Sequence, residues 1–336
     1  MYRNFFLTND HFCYDDTSLL LHLITHQQGY FKYDLYSLSG ENFENRVKLN
    51  WPEPFPEYDY SSFEIIGLAS INGTLCLRTF YYDDEDDYDD EVLQLILWNP
   101  TTNEFKVIPC SSVVSEPYLW TVKPLHHLVG YDRVNDDYKV IRDTICIPYN
   151  LNEGAIFFWE IYGLSSNSWR KIDIDMPQPF RDNVHVYMDG VSHWLTTIET
   201  HTNLVSFDFS KESFIETPTP SYRDANYNVD VWKHVHLVIL NESIAFIVNY
   251  TETSTFHISI LGELGVKESW TKLFIVGPLP YFDYPIGAGK KGKILFRRKD
   301  SELVWFDLST GMIDEIGFTA LKCNMLFHKE SILPIG

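Results

Sequence analysis

Ile65-Ile66-Gly67-Leu68-Ala69, a turn at Asn72-Gly73, then Leu75-Cys76-Leu77: this stretch reads as a β-hairpin, and the rest of the chain repeats its grammar. Asn-Gly suits a type I′ turn because both central residues need positive φ, and that turn's twist matches the twist of paired strands. Residues 93–98, ending in Trp98, give a third strand. Asn99-Pro100-Thr101-Thr102-Asn103 then turns the chain, and Phe105-Lys106-Val107-Ile108 makes a fourth.

The same unit recurs. A second copy starts at Leu128-Val129-Gly130-Tyr131, turns through Asn135-Asp136-Asp137 and continues with 138–141, 157–162 and 169–172. A third has 184–187, a turn at Asp189-Gly190, then 193–195, 204–209 and 214–215. A fourth has 237–240, a turn at Asn241-Glu242, then 244–248, 256–261 and 270–273, and a fifth has 294–296, 303–308 and 312–316. A looser copy at 19–49 is one strand short, and the tail at 324–333 supplies that strand. Roughly six four-stranded units, spaced by about 45 to 65 residues, fit the period of propeller blades. The reading is an all-β fold, a closed β-propeller of about six blades whose ring is sealed by pairing of the N- and C-terminal strands. Closure removes the exposed edges of an open sheet this long. Insertions are expected at 81–91 and 110–124, and one domain is expected over 17–336.

Composition agrees. The 336 residues are 45% hydrophobic and 16% aromatic, enough for a large core and weighted towards strand formers. With 26 basic against 47 acidic residues the net charge is -21, which repels phosphate backbones and argues against nucleic acid as a partner. A partner recognised electrostatically carries a basic patch. Cys13, Cys76, Cys110, Cys146 and Cys323 form no CxxC pair and read as free thiols, with neither a disulfide framework nor a zinc ribbon. No signal-peptide pattern and no apolar run of membrane-spanning length is visible, so a cytosolic or nuclear protein without a membrane partner is expected.

Several segments imitate functional motifs. Gly287-Ala288-Gly289-Lys290-Lys291-Gly292-Lys293 approaches a phosphate-binding loop, but Ile294 replaces the hydroxyl residue and a strand follows where a helix is required. It reads as a basic hairpin turn. His126-His127 and the pair His234 and His236 lack the further ligands of a metal site, and no G-x-S-x-G is present, so no metal, cofactor or catalytic residue is assigned. Trp98, Trp159, Trp194, Trp270 and Trp305 fall at corresponding points of the repeats and read as core anchors filling the wedge between blades. The acidic run Asp83-Asp84-Glu85-Asp86-Asp87-Tyr88-Asp89-Asp90-Glu91 reads either as a solvated connection or as a docking loop for a basic partner. Asp83, Asp84, Glu85, Asp86 and Asp87, together with Trp120 and Trp232 in polar connections, are the candidate partner-binding residues.

Leu97-Trp98-Asn99-Pro100-Thr101-Thr102 resembles the most recognisable motif of the plant F-box-associated interaction family, which includes the S-locus F-box proteins. Gly130-Tyr131-Asp132, followed by Asn135-Asp136-Asp137-Tyr138-Lys139-Val140-Ile141, resembles the second. Supporting matches, in the family's order, are 70–77, 189–195 and Glu330-Ser331-Ile332-Leu333. The resemblance covers roughly residues 17 to 333 and implies a kelch-like propeller that holds the target protein of an SCF-type ubiquitin ligase. It implies contact with the Skp-type adaptor and cullin only where an F-box is present. Residues 1–16 look like the linker that follows an F-box, and no F-box itself is read in this sequence. The rival reading is a propeller that binds or processes glycans, supported only by aromatic and carboxylate content.

Overall fold

The computed structural model describes residues 17–27, 29–40, 43–53, 63–82, 91–111, 119–149, 154–179, 185–198, 201–222 and 234–336. The expected linker 1–16, the acidic residues Asp83, Asp84, Glu85, Asp86 and Asp87, and Trp232 lie outside the described residues.

The fold is an all-β propeller of six four-stranded antiparallel blades, with almost no helix. Blade 2 is β4 (Phe63–Ile71), β5 (Thr74–Tyr82), β6 (Glu91–Asn99) and β7 (Glu104–Ile108). Blade 3 is β8 (Leu119–Asp132), β9 (Asp137–Pro148), β10 (Ile156–Gly163) and β11 (Ser168–Ile172). Blade 4 is β12 (His185–Met188), β13 (Val191–Ile198), β14 (His201–Asp208) and β15 (Ser213–Pro218). Blade 5 is β16 (Val235–Leu240), β17 (Ser243–Tyr250), β18 (Thr255–Ile260) and β19 (Thr271–Val276). Blade 6 is β20 (Phe282–Ala288), β21 (Lys293–Arg298), β22 (Glu302–Asp307) and β23 (Ile313–Thr319). Blade 1 joins the two ends of the chain: β24 (Lys322–Lys329) pairs with β1 (Thr17–Gln27), followed by β2 (Tyr30–Ser39) and β3 (Asn45–Leu49). The strand missing from the first repeat is thus supplied by the tail.

Turn chemistry sets the meander. Asn72 and Gly73 both have positive φ, as do Asp189 and Gly190, and Asn241 and Glu242, which is the pattern of type I′ hairpins. The basic segment at 287–293 is also a hairpin turn, between β20 and β21, with a single 3-10 turn at Lys290–Gly292.

By internal packing the chain divides into two compact units. Unit 1 comprises Met1–Leu49, Trp194–Ser206 and Ile215–His328; unit 2 comprises Asn50–His193, Phe207–Phe214 and Lys329–Gly336. Unit 1 has one core of Phe256, Ile258, Phe282, Phe296 and Phe306 between blades 5 and 6, and another around Leu21, Leu295 and Trp305. Unit 2 has a core of Leu97, Val129, Tyr138, Val140 and Tyr162 between blades 2 and 3.

Three expectations need correction. The connection placed at 110–124 is shorter, because β8 already begins at Leu119. Pro124 lies within this strand and is accommodated at a register shift between Pro124 and His127. The first strand of blade 6 was overlooked because Pro285 interrupts its pattern, and it too sits between register shifts. Of the tryptophans, Trp98, Trp159, Trp194 and Trp305 are buried, but Trp270 is only partly so. Its indole projects from the β18–β19 connection and donates to the Pro218 carbonyl at 3.0 Å.

Candidate functional site

In an antiparallel four-stranded meander, the first and third turns share one end of the sheet, and the middle connection and the exit share the other. In unit 2 the tight turns of blades 2 and 3 coincide: the Tyr138 hydroxyl, just after the blade 3 turn, donates to the Ile71 carbonyl at 3.0 Å, just before the blade 2 turn. The strand ends at Tyr82, Glu91, Ile108, Leu119, Pro148 and Ile156 therefore lie at the opposite end.

The tight-turn end is held by the motif residues themselves. Asn99 is buried; its amide donates to the Ser331 carbonyl at 2.8 Å and its Oδ1 accepts from the Thr101 amide at 2.9 Å. Trp98 donates to Asn103 Oδ1 at 3.2 Å. Asp132 accepts from the amides of Val134 and Asn135 at 2.9 and 3.0 Å and from Lys139 Nζ at 2.6 Å. Lys139 also donates to Glu212 at 2.8 Å and to the Phe209 carbonyl at 3.1 Å. Desolvation opposes the charge on Asp132, but the hydrogen bonds from Lys139, Asn135 and Val134 outweigh it and hold the carboxyl far below the usual carboxylate range. The side chains of Asn99, Asp132 and Lys139 are thus spent on the fold.

The long-connection end is different. Tyr82 and Glu91 are register partners, so β5 ends and β6 begins side by side. On blade 3, β9 and β10 extend to the same end and leave Tyr149, Ile156 and Phe157 exposed, with Tyr149 at 67% and Phe157 at 53%. Trp120 was expected in a connection. Its backbone lies in β8, at the register shift between Leu119 and Thr121 opposite Ile147 and Pro148, which is this same end. Of the sequence candidates, Trp120 is thus placed by its backbone at this end of unit 2, while Asp83, Asp84, Glu85, Asp86, Asp87 and Trp232 lie outside the described residues.

Towards that end lies a partly buried polar belt, of which the sequence showed only the His126-His127 pair. Arg78 Nη2 donates to Glu64 at 2.5 Å. Arg142 pairs with the buried Glu160 at 2.9 Å and stacks over the Trp169 ring at 4.1 Å. Ser111 donates to Glu160 at 2.6 Å, and the buried Asp143 accepts from the His126 amide at 2.8 Å. His127 is buried, and burial, with Arg142 and Arg78 nearby, drives its pKa well below the ordinary histidine value. For the charged members of the belt, the only sequence signal was the alternation of polar residues in apolar strands. Each carboxylate in the belt is engaged by a donor, an arrangement that fixes strands rather than one poised for proton transfer. Among the described residues no group of three or more His, Cys, Asp or Glu side chains could hold a metal ion. His236 instead stacks on Tyr284, with ring centroids 6.0 Å apart. Cys76, Cys110, Cys146 and Cys323 are free thiols.

Comparison with known proteins gives a consistent picture. F-box protein CPR1 of Arabidopsis thaliana is 27% identical over 243 residues, covering 64% of this chain and 57% of that protein. The putative F-box protein At3g17490 of the same organism is 27% identical over 250 residues, covering 71% of this chain and 56% of that protein. The chain thus spans a little over half the length of these two relatives. Among solved structures, TolB from Acinetobacter baumannii aligns over 93% of this chain and 66% of its own, at a TM-score of 0.49 and 10% identity, a likeness too distant to carry function. The model of the F-box associated beta propeller domain matches residues 76–328, well over half of the sequence and every blade but parts of the first two. The chain belongs to the F-box associated beta propeller family.

Proposed function

We propose that this chain is the target-recognition part of an F-box protein, a binding protein rather than an enzyme, and that it holds a partner protein bearing a basic patch at the long-connection end of unit 2. One observation carries the reading beyond the family assignment. An exposed apolar group, Tyr149, Ile156 and Phe157, lies at the end where β5 stops at Tyr82, the residue that precedes Asp83, Asp84, Glu85, Asp86 and Asp87 in the sequence. An apolar centre beside a charged rim is the usual composition of a protein interface. Exposed apolar groups of this kind mark such surfaces. Trp120 and Trp232 are proposed as further contacts, since tryptophan is enriched among interface anchors. Delivery of the partner to ubiquitin transfer then requires an F-box on the same polypeptide to engage a Skp-type adaptor and cullin.

The test is affinity capture from plant cell extract with quantitative mass spectrometry, using wild type, a chain with the five acidic residues changed to Asn or Gln, and Phe157→Ser. Specific partners should present a basic surface and be depleted by both variants, with capture falling as salt rises. A folded wild-type chain that retains nothing above background would sink the reading.

A further inference from the structure

Blade 6, in unit 1, carries an open cleft whose lining shares no residue with the surface described above. Blades 5 and 6 belong to unit 1 and share a core in which Phe282, Phe296, Val304 and Phe306 meet Ile247, Phe256 and Ile258. Cross-strand partners project from the same face of a sheet. Arg298 lies opposite Phe282, Ile313 opposite Phe306 and Glu315 opposite Val304, so all three belong to this blade-5-facing side. The face is apolar where the sheets touch and turns mixed towards β23, the outermost strand. There an open concavity of about 650 Å³ is lined by Tyr281, Phe282, Arg298, Ile313, Asp314 and Glu315.

Three features give this cleft a chemistry. Tyr281 is 71% exposed, and Met312 and Ile313 are also exposed, so three large apolar side chains face solvent in one small region. Between the pairs Val304–Glu315 and Glu302–Thr319 the register shifts, with residues 316–318 set against Leu303 alone. Beyond that bulge Phe318 packs on Tyr36 and lies under Arg46, at 5.0 and 4.9 Å, which anchors the far half of β23. The near half, 313–315, is left as a short edge beside the cleft, a place for an extended segment to pair.

The third feature is charge. Arg298 is bracketed by Glu302 at 2.7 Å, Asp300 at 3.0 Å and Glu315 at 3.8 Å, so it is saturated and offers little to an anion. Lys293 pairs with Asp314 at 3.0 Å, and Lys299 donates to the Pro280 carbonyl at 2.7 Å. Carboxylates outnumber cations here, and Glu315, 66% exposed and held to Arg298 only at 3.8 Å, can turn to a guest.

We propose that this cleft takes an extended peptide segment of a partner protein in which a Lys or Arg is flanked by apolar side chains. The basic side chain reaches Glu315 and packs its stem on Ile313. An apolar neighbour covers Tyr281, and the backbone pairs with the edge at 313–315. The inference rests on the protein-recognition reading, and adds to it a site and a ligand pattern.

The experiment is selection of a phage-displayed library of short random peptides on the folded full chain, followed by titration of a synthetic copy of the enriched sequence. Tyr281→Ala and Glu315→Lys are surface changes whose folding is checked by thermal melting. Enrichment of a basic residue beside aliphatic or aromatic ones is expected, with affinity reduced about tenfold or more by each variant. A peptide whose basic residue is replaced by Glu should recover binding to Glu315→Lys. No enrichment, enriched peptides without a basic residue, or binding indifferent to both variants would overturn the proposal. Capture of a partner through the end of unit 2, measured on the same two variants, separates the outcomes: if it persists while peptide binding fails, only this cleft is wrong.

Discussion

The side-chain amide of Asn99 donates to the main-chain carbonyl of Ser331 at 2.8 Å, a contact that spans 232 positions of sequence. Within unit 2 it fixes the C-terminal segment to the turn after β6. Ile335 is buried in the same core, and its amide donates to Glu104 at 3.3 Å. The approach is close enough that a Cβ on Gly73 would lie 2.5 Å from that of Ser331.

Asn99→Ala should therefore cost about 2 kcal/mol, the usual penalty for orphaning buried hydrogen-bond partners. Urea titration reads the loss, and limited proteolysis should show the last residues of the chain cleaved earlier than in wild type. A variant as stable and as resistant as wild type would show that the tail is held by other contacts.

Gly130 is glycine for a steric reason. A Cβ there would fall 2.1 Å from the ring of the buried Phe209. Gly130→Ala should destabilise by about 1–3 kcal/mol, the range for overpacking a filled core. Phe209→Leu on its own should also destabilise, but the double variant should be more stable than the sum of the two losses predicts, as coupled neighbours are. Strict additivity in denaturant melts would remove the steric explanation.

Lys139 is the cation on which the Asp132 carboxylate depends. Lys139→Met strands a buried charge and should cost about 3–5 kcal/mol. The double variant with Asp132→Asn should regain part of that loss, because the unpaired charge is gone. If the double variant is less stable than Lys139→Met, the ion pair is not what Lys139 contributes.

Burial pushes the imidazoles of His193 and His328 down to about 4. Unfolded histidine titrates near 6.5, so the folded state binds fewer protons between these values. Stability is then complete above about pH 6.5 and declines as pH falls towards 4, by on the order of 2 kcal/mol per group at pH 5. Urea midpoints at pH 7 and pH 5 measure the total, and a His193→Leu variant should show a shallower decline. Proton NMR of the His193 ring should give a midpoint near the lower value; titration near 6.5 would refute its burial.

The sequence by itself determined the strand count of most blades, the type I′ turns and the closure by the tail. All of these are local: Asn72-Gly73 dictates its own backbone, and residues alternating at period two declare a half-buried strand without reference to the rest of the chain. The family motifs were visible for the same reason, since Asn99 and Asp132 cap turns a few residues away. Tertiary structure alone decided the rest. Pro124 hid the start of one strand and Pro285 the whole of another, because the register shifts that accommodate them depend on the partner strand. The belt of Arg78, Glu64, Arg142, Glu160 and Asp143, and the cleft beside Tyr281 and Glu315, unite side chains from separate strands. Their distances are set by how sheets pack, a property that no single segment of the chain encodes.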